Sequence, residues 1–205
     1  MDTPAPPSQK KRGRPRDLTR DGMVLAATLD LLAERAYEQV SLDEVAARTG
    51  RAKTTLYRRW GTKDDLVLAA VRSMGYPPEI DELPDRGSLR DDLIAVIDSP
   101  WLGGASRRLT LFAGLSAASH RSATLRDMVA TQVTQPYVEV YRRLLIRAVE
   151  RGLLSTSVVD RVASLAAVIP AMSGLSFAQT PAGPRRDDFV SIVDDVLLPA
   201  CGAAP

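Results

Sequence analysis

Between Ser41 and Lys63 the chain reads SLDEVAARTGRAKTTLYRRWGTK, and its second half gathers donors and cations on one short segment: Arg51, Lys53, Thr54, Thr55, Tyr57, Arg58 and Lys63. Ammonium, guanidinium and hydroxyl groups at that density suit a polyanion, because they donate to phosphate oxygens and to the acceptor edges of bases. They do not suit catalysis. The one histidine, His120, cannot supply a metal cluster alone, and the one cysteine, Cys201, stands near the C-terminus as a passive thiol; a metal cluster needs more ligands than this. No P-loop, G-x-S-x-G or G-x-G-x-x-G is present. The carboxylate pairs Asp91-Asp92 and Asp187-Asp188 sit at helix beginnings, where the macrodipole accounts for them. No enzyme activity, cofactor or metal is expected.

The elements that would present these donors can be read from the same stretch. Ser41 with Glu44 three residues on makes a capping box, so a helix begins near Leu42, with Leu42, Val45 and Ala46 inward. Gly50 allows the sharp turn that follows. A second helix spans about Lys53 to Trp60, with Leu56 and Trp60 inward and Thr54, Tyr57 and Arg58 on the opposite face. Trp60 is expected in the core rather than as a stacking platform. A preceding helix from about Leu18 to Arg35 carries a broad apolar face (Val24, Leu25, Ala27, Leu29, Leu31, Leu32) that packs behind the pair. Thr62 caps a fourth helix that runs toward Ser73 and connects this head to the rest. Two short helices crossing closely at a glycine turn form a helix-turn-helix.

Residues 18–70 resemble the N-terminal domain of the TetR family of bacterial transcriptional regulators. The resemblance rests on AATLDLLAERAYEQVS, LDEVAARTG, KTTLYRRW and TKDDLV. With the geometry above, it places Lys53, Thr54 and Thr55 at base edges, and Tyr57, Lys63, Arg51 and Arg58 at phosphates. Two positions depart from the family pattern. Ala36 stands where the family usually has Gly, which costs about 1 kcal/mol if that site needs positive φ. Arg51 and Ala52 replace the usual Val-Ser, so the recognition helix loses its side-chain cap and Arg51 offers a phosphate contact instead.

The 205 residues carry a net charge of +2, but all four lysines lie in the first 63 residues, so the polyanion footprint is N-terminal. Residues 1–17 form a Pro-rich, basic arm, expected to be disordered in the free protein. Its KKRGRPR segment reads either as a solvated tail that attracts phosphates or as an extended AT-hook-like segment, with Arg12 and Arg14 in a narrow minor groove. No signal peptide pattern and no uninterrupted apolar run of membrane-spanning length occurs, so a soluble, cytoplasmic protein is expected.

Residues 18–73 form the head, and 74–205 a second helical domain beginning with the Pro- and acid-rich YPPEIDELPDRG. Helical patterns follow: one capped by Ser88, one with Leu109 to Leu115, one with Leu125 to Val133, then a kink or restart at Pro136. Tyr137, Tyr141, Leu144, Leu145 and Ala148 repeat at three and four, with Arg142, Arg143, Arg147 and Glu150 outside. In the last two helices Val158, Val162, Leu165, Ile169 and Met172 share a stripe among small residues, and Phe189, Val190, Ile192, Val193, Val196 and Leu197 fill much of a circumference. The fold expected is all-α: a three-helix DNA-binding domain plus a helical ligand-binding and dimerisation domain. The resemblance implies that the last two helices pair with their copies in a homodimer. A small organic effector would be walled by Trp101, Phe112, Met128, Tyr137, Tyr141, Met172 and Phe177. The function implied is a transcriptional regulator that binds a DNA operator, a repressor released by that ligand. The alternatives are a regulator without ligand control, and a helical ligand-binding or scaffold protein with a vestigial head. Retained Lys53, Thr55, Tyr57 and Lys63 argue against the last.

Overall fold

The computed structural model describes residues 18–74, 82–99, 111, 115–116, 118–119, 123–179 and 185–203. Every regular element among them is helical. The N-terminal part comprises α1 (Leu18–Glu34), a 3-10 turn (Tyr37–Gln39), α2 (Leu42–Thr49), α3 (Lys53–Trp60) and α4 (Lys63–Ser73). The C-terminal part comprises α5 (Leu89–Ile97), α6 (Ala123–Val129), a π segment (Ala130–Thr134), α7 (Gln135–Glu150), a 3-10 turn (Thr156–Arg161), α8 (Val162–Gln179), α9 (Arg186–Ser191), a second π segment (Ile192–Leu197) and α10 (Leu198–Cys201).

Local chemistry sets the boundaries in the head. The Ser41 hydroxyl accepts from the Glu44 N–H and starts α2, and Gly50, at φ 64°, ends it. Thr62 and Asp65 close a reciprocal capping box at the start of α4. Ala52 gives α3 no side-chain cap, as the departure from the family pattern implies. Ala36 carries no penalty: its φ of −60° and ψ of 144° are ordinary extended backbone, so a glycine is not required there. Val24, Leu31, Leu32, Val45, Ala46, Leu56, Leu66 and Val67 are all buried and form the small core behind α3, with Trp60 packed against it. In α4 the inward positions are Leu66, Val67, Ala70 and Val71; Leu68 and Ala69 are only half-buried. Ion pairs run between the helices of the head, Arg48 to Glu34 through two hydrogen bonds of 2.7 Å and Arg35 to Glu44.

In the C-terminal part α7 packs against α8 and α5, and the second π segment packs on α8 and α5. Both π segments end two residues before a proline, Pro136 and Pro199. A proline ring presses on the carbonyl four residues back and offers it no N–H. Here those carbonyls belong to Gln132 and Asp195, each inside its π segment, and the wider i→i+5 winding relieves the clash. Pro136 therefore does not restart the chain; helical winding runs through it.

Two assignments from sequence need correction. Arg147 does not face solvent: it is largely buried and donates to Asp92 at 2.9 Å and to the Pro84 carbonyl. Asp92 is correspondingly not a dipole ornament of α5. It is buried, and its second oxygen accepts from the Arg86 backbone N–H at 2.5 Å. The pair clamps the 82–86 segment and α5 onto α7.

Candidate nucleic-acid interface

The candidate recognition face is built by α3. Its Leu56 is 1% exposed and anchors the helix, a burial that contributes roughly 1.5–3 kcal/mol. Lys53, Thr54, Thr55, Tyr57 and Arg58 are all exposed around it, and the first turn contains no acid. An uncapped N-terminus with no acid in its first turn leaves backbone N–H groups and the positive end of the dipole available to an anion. Arg51, half-buried, donates its backbone N–H to the Ala46 carbonyl at 2.9 Å and so closes the turn between α2 and α3. The structure thus leaves these cations and hydroxyls of α3 open to solvent.

Two of the lysines are engaged within the head. The Lys53 ammonium lies 2.7 Å from Asp43 Oδ2 on α2, which holds its pKa above the ordinary range. Lys63 is folded back over the Tyr37 ring, 4.0 Å from its centroid, and donates to the Tyr37 carbonyl at 3.1 Å. Tyr37 in turn donates its hydroxyl to Asp64, and burial together with that carboxylate pushes the phenol upward. Arg59 pairs with Asp21 on α1 at 3.1 Å and lies 5.9 Å from the Trp60 ring centroid. Sequence reasoning missed Asp43. The available signal was an acid on the α2 surface placed so that the glycine turn brings it to the first residue of α3. Arg12 and Arg14 lie outside the described residues.

The head meets the rest through α4, which packs on α6 and on the first π segment, and Arg72 donates to Gln132 at 3.0 Å. Of the residues expected to wall an effector site, Met128, Tyr137 and Tyr141 are buried. The Tyr141 hydroxyl is enclosed without a hydrogen-bond partner, and burial raises its pKa. Met172, on α8, is 39% exposed. Trp101, Phe112 and the side chain of Phe177 lie outside the described residues.

A family model described as "Bacterial regulatory proteins, tetR family" matches residues 24–70. A second, "Tetracyclin repressor-like, C-terminal domain", matches residues 83–196. The chain belongs to the TetR family. It is 36% identical to a protein named DNA-binding transcriptional repressor TetR from Mycobacteroides abscessus, over 88% of this chain and 93% of that one. It is 31% identical to an uncharacterised HTH-type transcriptional regulator of Mycobacterium tuberculosis, over 88% and 87%. Among solved structures, GusR of Salmonella enterica has the same fold, with a TM-score of 0.66 at 14% identity over 92% of this chain and 98% of that one. A TetR-family transcriptional regulator from Streptomyces coelicolor superposes with a TM-score of 0.60 at 20% identity, over 90% and 82%. This TetR-family chain is a helix-turn-helix DNA-binding transcriptional regulator, and regulators of the family bind DNA operators and act as dimers.

Proposed function

We propose that this TetR-family regulator is a repressor that reads its operator with α3 and is released by a small organic ligand. The observation that carries the reading is the composition of α3: one buried anchor, Leu56, under a face of exposed cations and hydroxyls with no acid in the first turn. Lys53, Thr54 and Thr55 contact base edges, and Arg51, Tyr57, Arg58 and Lys63 contact phosphates. Lys63 must leave its seat on Tyr37 to do so. The repressor assignment follows the name of the Mycobacteroides abscessus relative.

The division at 1–17, 18–73 and 74–205 follows from the same reading, supported by the two family-model spans. The homodimer forms through α8 and the segment from α9 to α10. In its support, α8 is apolar nearly all round, and with Leu165, Ala166 and Ile169 facing the core it still exposes Ala163, Ala171, Met172 and Leu175. The stretch Thr156–Leu175 is even long and apolar enough to cross a membrane by length and composition. A second copy of the chain, in a cytoplasmic regulator, is the better cover for it. Effector control draws support from Tyr141, whose enclosed and unpartnered hydroxyl near Tyr137 suits a weakly polar ligand. The test is an electrophoretic shift with the DNA upstream of the protein's own gene, titrated with salt and competitor. A dimer-sized complex that survives competitor supports the reading, and binding indifferent to sequence opposes it.

A further inference from the structure

We infer that Asp43 is a specificity-determining residue of the reading head, which holds Lys53 in reserve until a cognate base edge replaces it. This deepens the DNA-reading role of α3 and rests on it. Lys53 is the first residue of α3, and its ammonium is bound to Asp43 on the neighbouring helix at 2.7 Å. Both side chains stand well out in solvent, 62% and 46% exposed. A pair so exposed is weak, so a better acceptor can displace it. The other Asp43 oxygen, Oδ1, is enclosed and makes no hydrogen bond. The carboxylate is therefore compensated chiefly by Lys53.

The consequence is a difference between two classes of DNA. On a non-cognate duplex a phosphate offers Lys53 another diffuse anionic partner, and the displaced Asp43 carboxylate is left near the polyanion, so the exchange gains little. On the cognate duplex a guanine edge accepts the ammonium through O6 and N7 with fixed geometry, and the exchange is favourable. Asp43 thus lowers indiscriminate binding more than it lowers operator binding.

The test uses the full chain, a duplex that it enriches from a random-sequence pool, and poly(dA-dT), which carries no guanine O6/N7 edge, as the non-cognate probe. Asp43→Asn is expected to strengthen poly(dA-dT) binding about two- to fivefold and to steepen its salt slope by about one unit. The enriched duplex should gain less than twofold. In a Lys53→Gln background the same Asp43→Asn change is expected to have no selective effect. Equal gains on both duplexes, or gains that persist without Lys53, would overturn the inference, because a general change in net charge then explains them. If circular dichroism shows that Asp43→Asn does not fold, Lys53→Gln alone decides. It is expected to cost the enriched duplex about tenfold or more and poly(dA-dT) less than twofold, and equal losses contradict the role of Asp43. A wild-type chain that enriches no sequence at all contradicts the DNA-reading itself, a separate outcome.

Discussion

At the scale of single residues, where a side chain sits in the fold matters more than its type. Arg147 and Arg142 stand on the same helix in a similar sequence context. Arg142 pairs on the surface with Glu139 at 2.7 Å, while Arg147 is drawn inward to buried Asp92. Helical spacing does not distinguish them, since the partner comes from a segment 55 residues away. Removing Arg147 leaves a carboxylate enclosed without its counter-charge, which typically costs about 3–5 kcal/mol. Arg147→Ala is therefore expected to lower the unfolding free energy in urea by that amount, whereas Arg142→Ala should change it by less than about 1 kcal/mol. The same holds for Asp43 and Lys53: each looks like an ordinary exposed charge until the turn at Gly50 folds α2 and α3 together.

At the scale of elements, the head was almost wholly legible. Its caps, its glycine turn and the anchors Leu56 and Trp60 are local signals, and α3 occupies the Lys53–Trp60 span that the pattern implies. Gly50 sits at φ 64° with open space where a Cβ would point, so Gly50→Ala meets no steric neighbour and the cost is the backbone's alone. We expect about 1–2 kcal/mol of destabilisation, read from chemical denaturation, with the helical signal of the folded state unchanged. The π segments were not legible, because a proline in a helical pattern signals a break and only the surrounding packing shows that the helix absorbs it. On α7, Arg142 and then Arg143 hold the Glu139 carboxyl down to about 2, against its ordinary 4.5. A depressed carboxyl stabilises the fold above its unfolded value, and that contribution fades as pH falls from 4.5 toward 2. The pair is partly exposed, so the effect is small. Acid titration followed by circular dichroism should show Glu139→Gln losing less stability than wild type within that window.

At the scale of the whole molecule, a wide apolar surface on the terminal helices is split between two uses. Phe189, Ile192, Val193 and Leu197 are buried within the subunit, so part of what looked like interface in sequence is core. Met172 and Leu175, at 39% and 60% exposed, remain outside. Leu175→Glu is expected to convert a dimer into monomers in sedimentation at micromolar concentration, with the helical content intact; an unchanged mass would place the interface elsewhere. Dimerisation matters because two heads on one particle match two half-sites, and on the proposed reading each head depends on the first turn of α3. The most direct test of that dependence is a comparison of the sequences enriched from a random duplex pool by the wild-type chain and by its Lys53→Ala variant. Lys53→Ala is expected to lose about 1–3 kcal/mol of discrimination at one base position in each half-site, with the other positions retained. Identical sequence preferences for the two proteins would contradict it, and another surface would have to read the DNA.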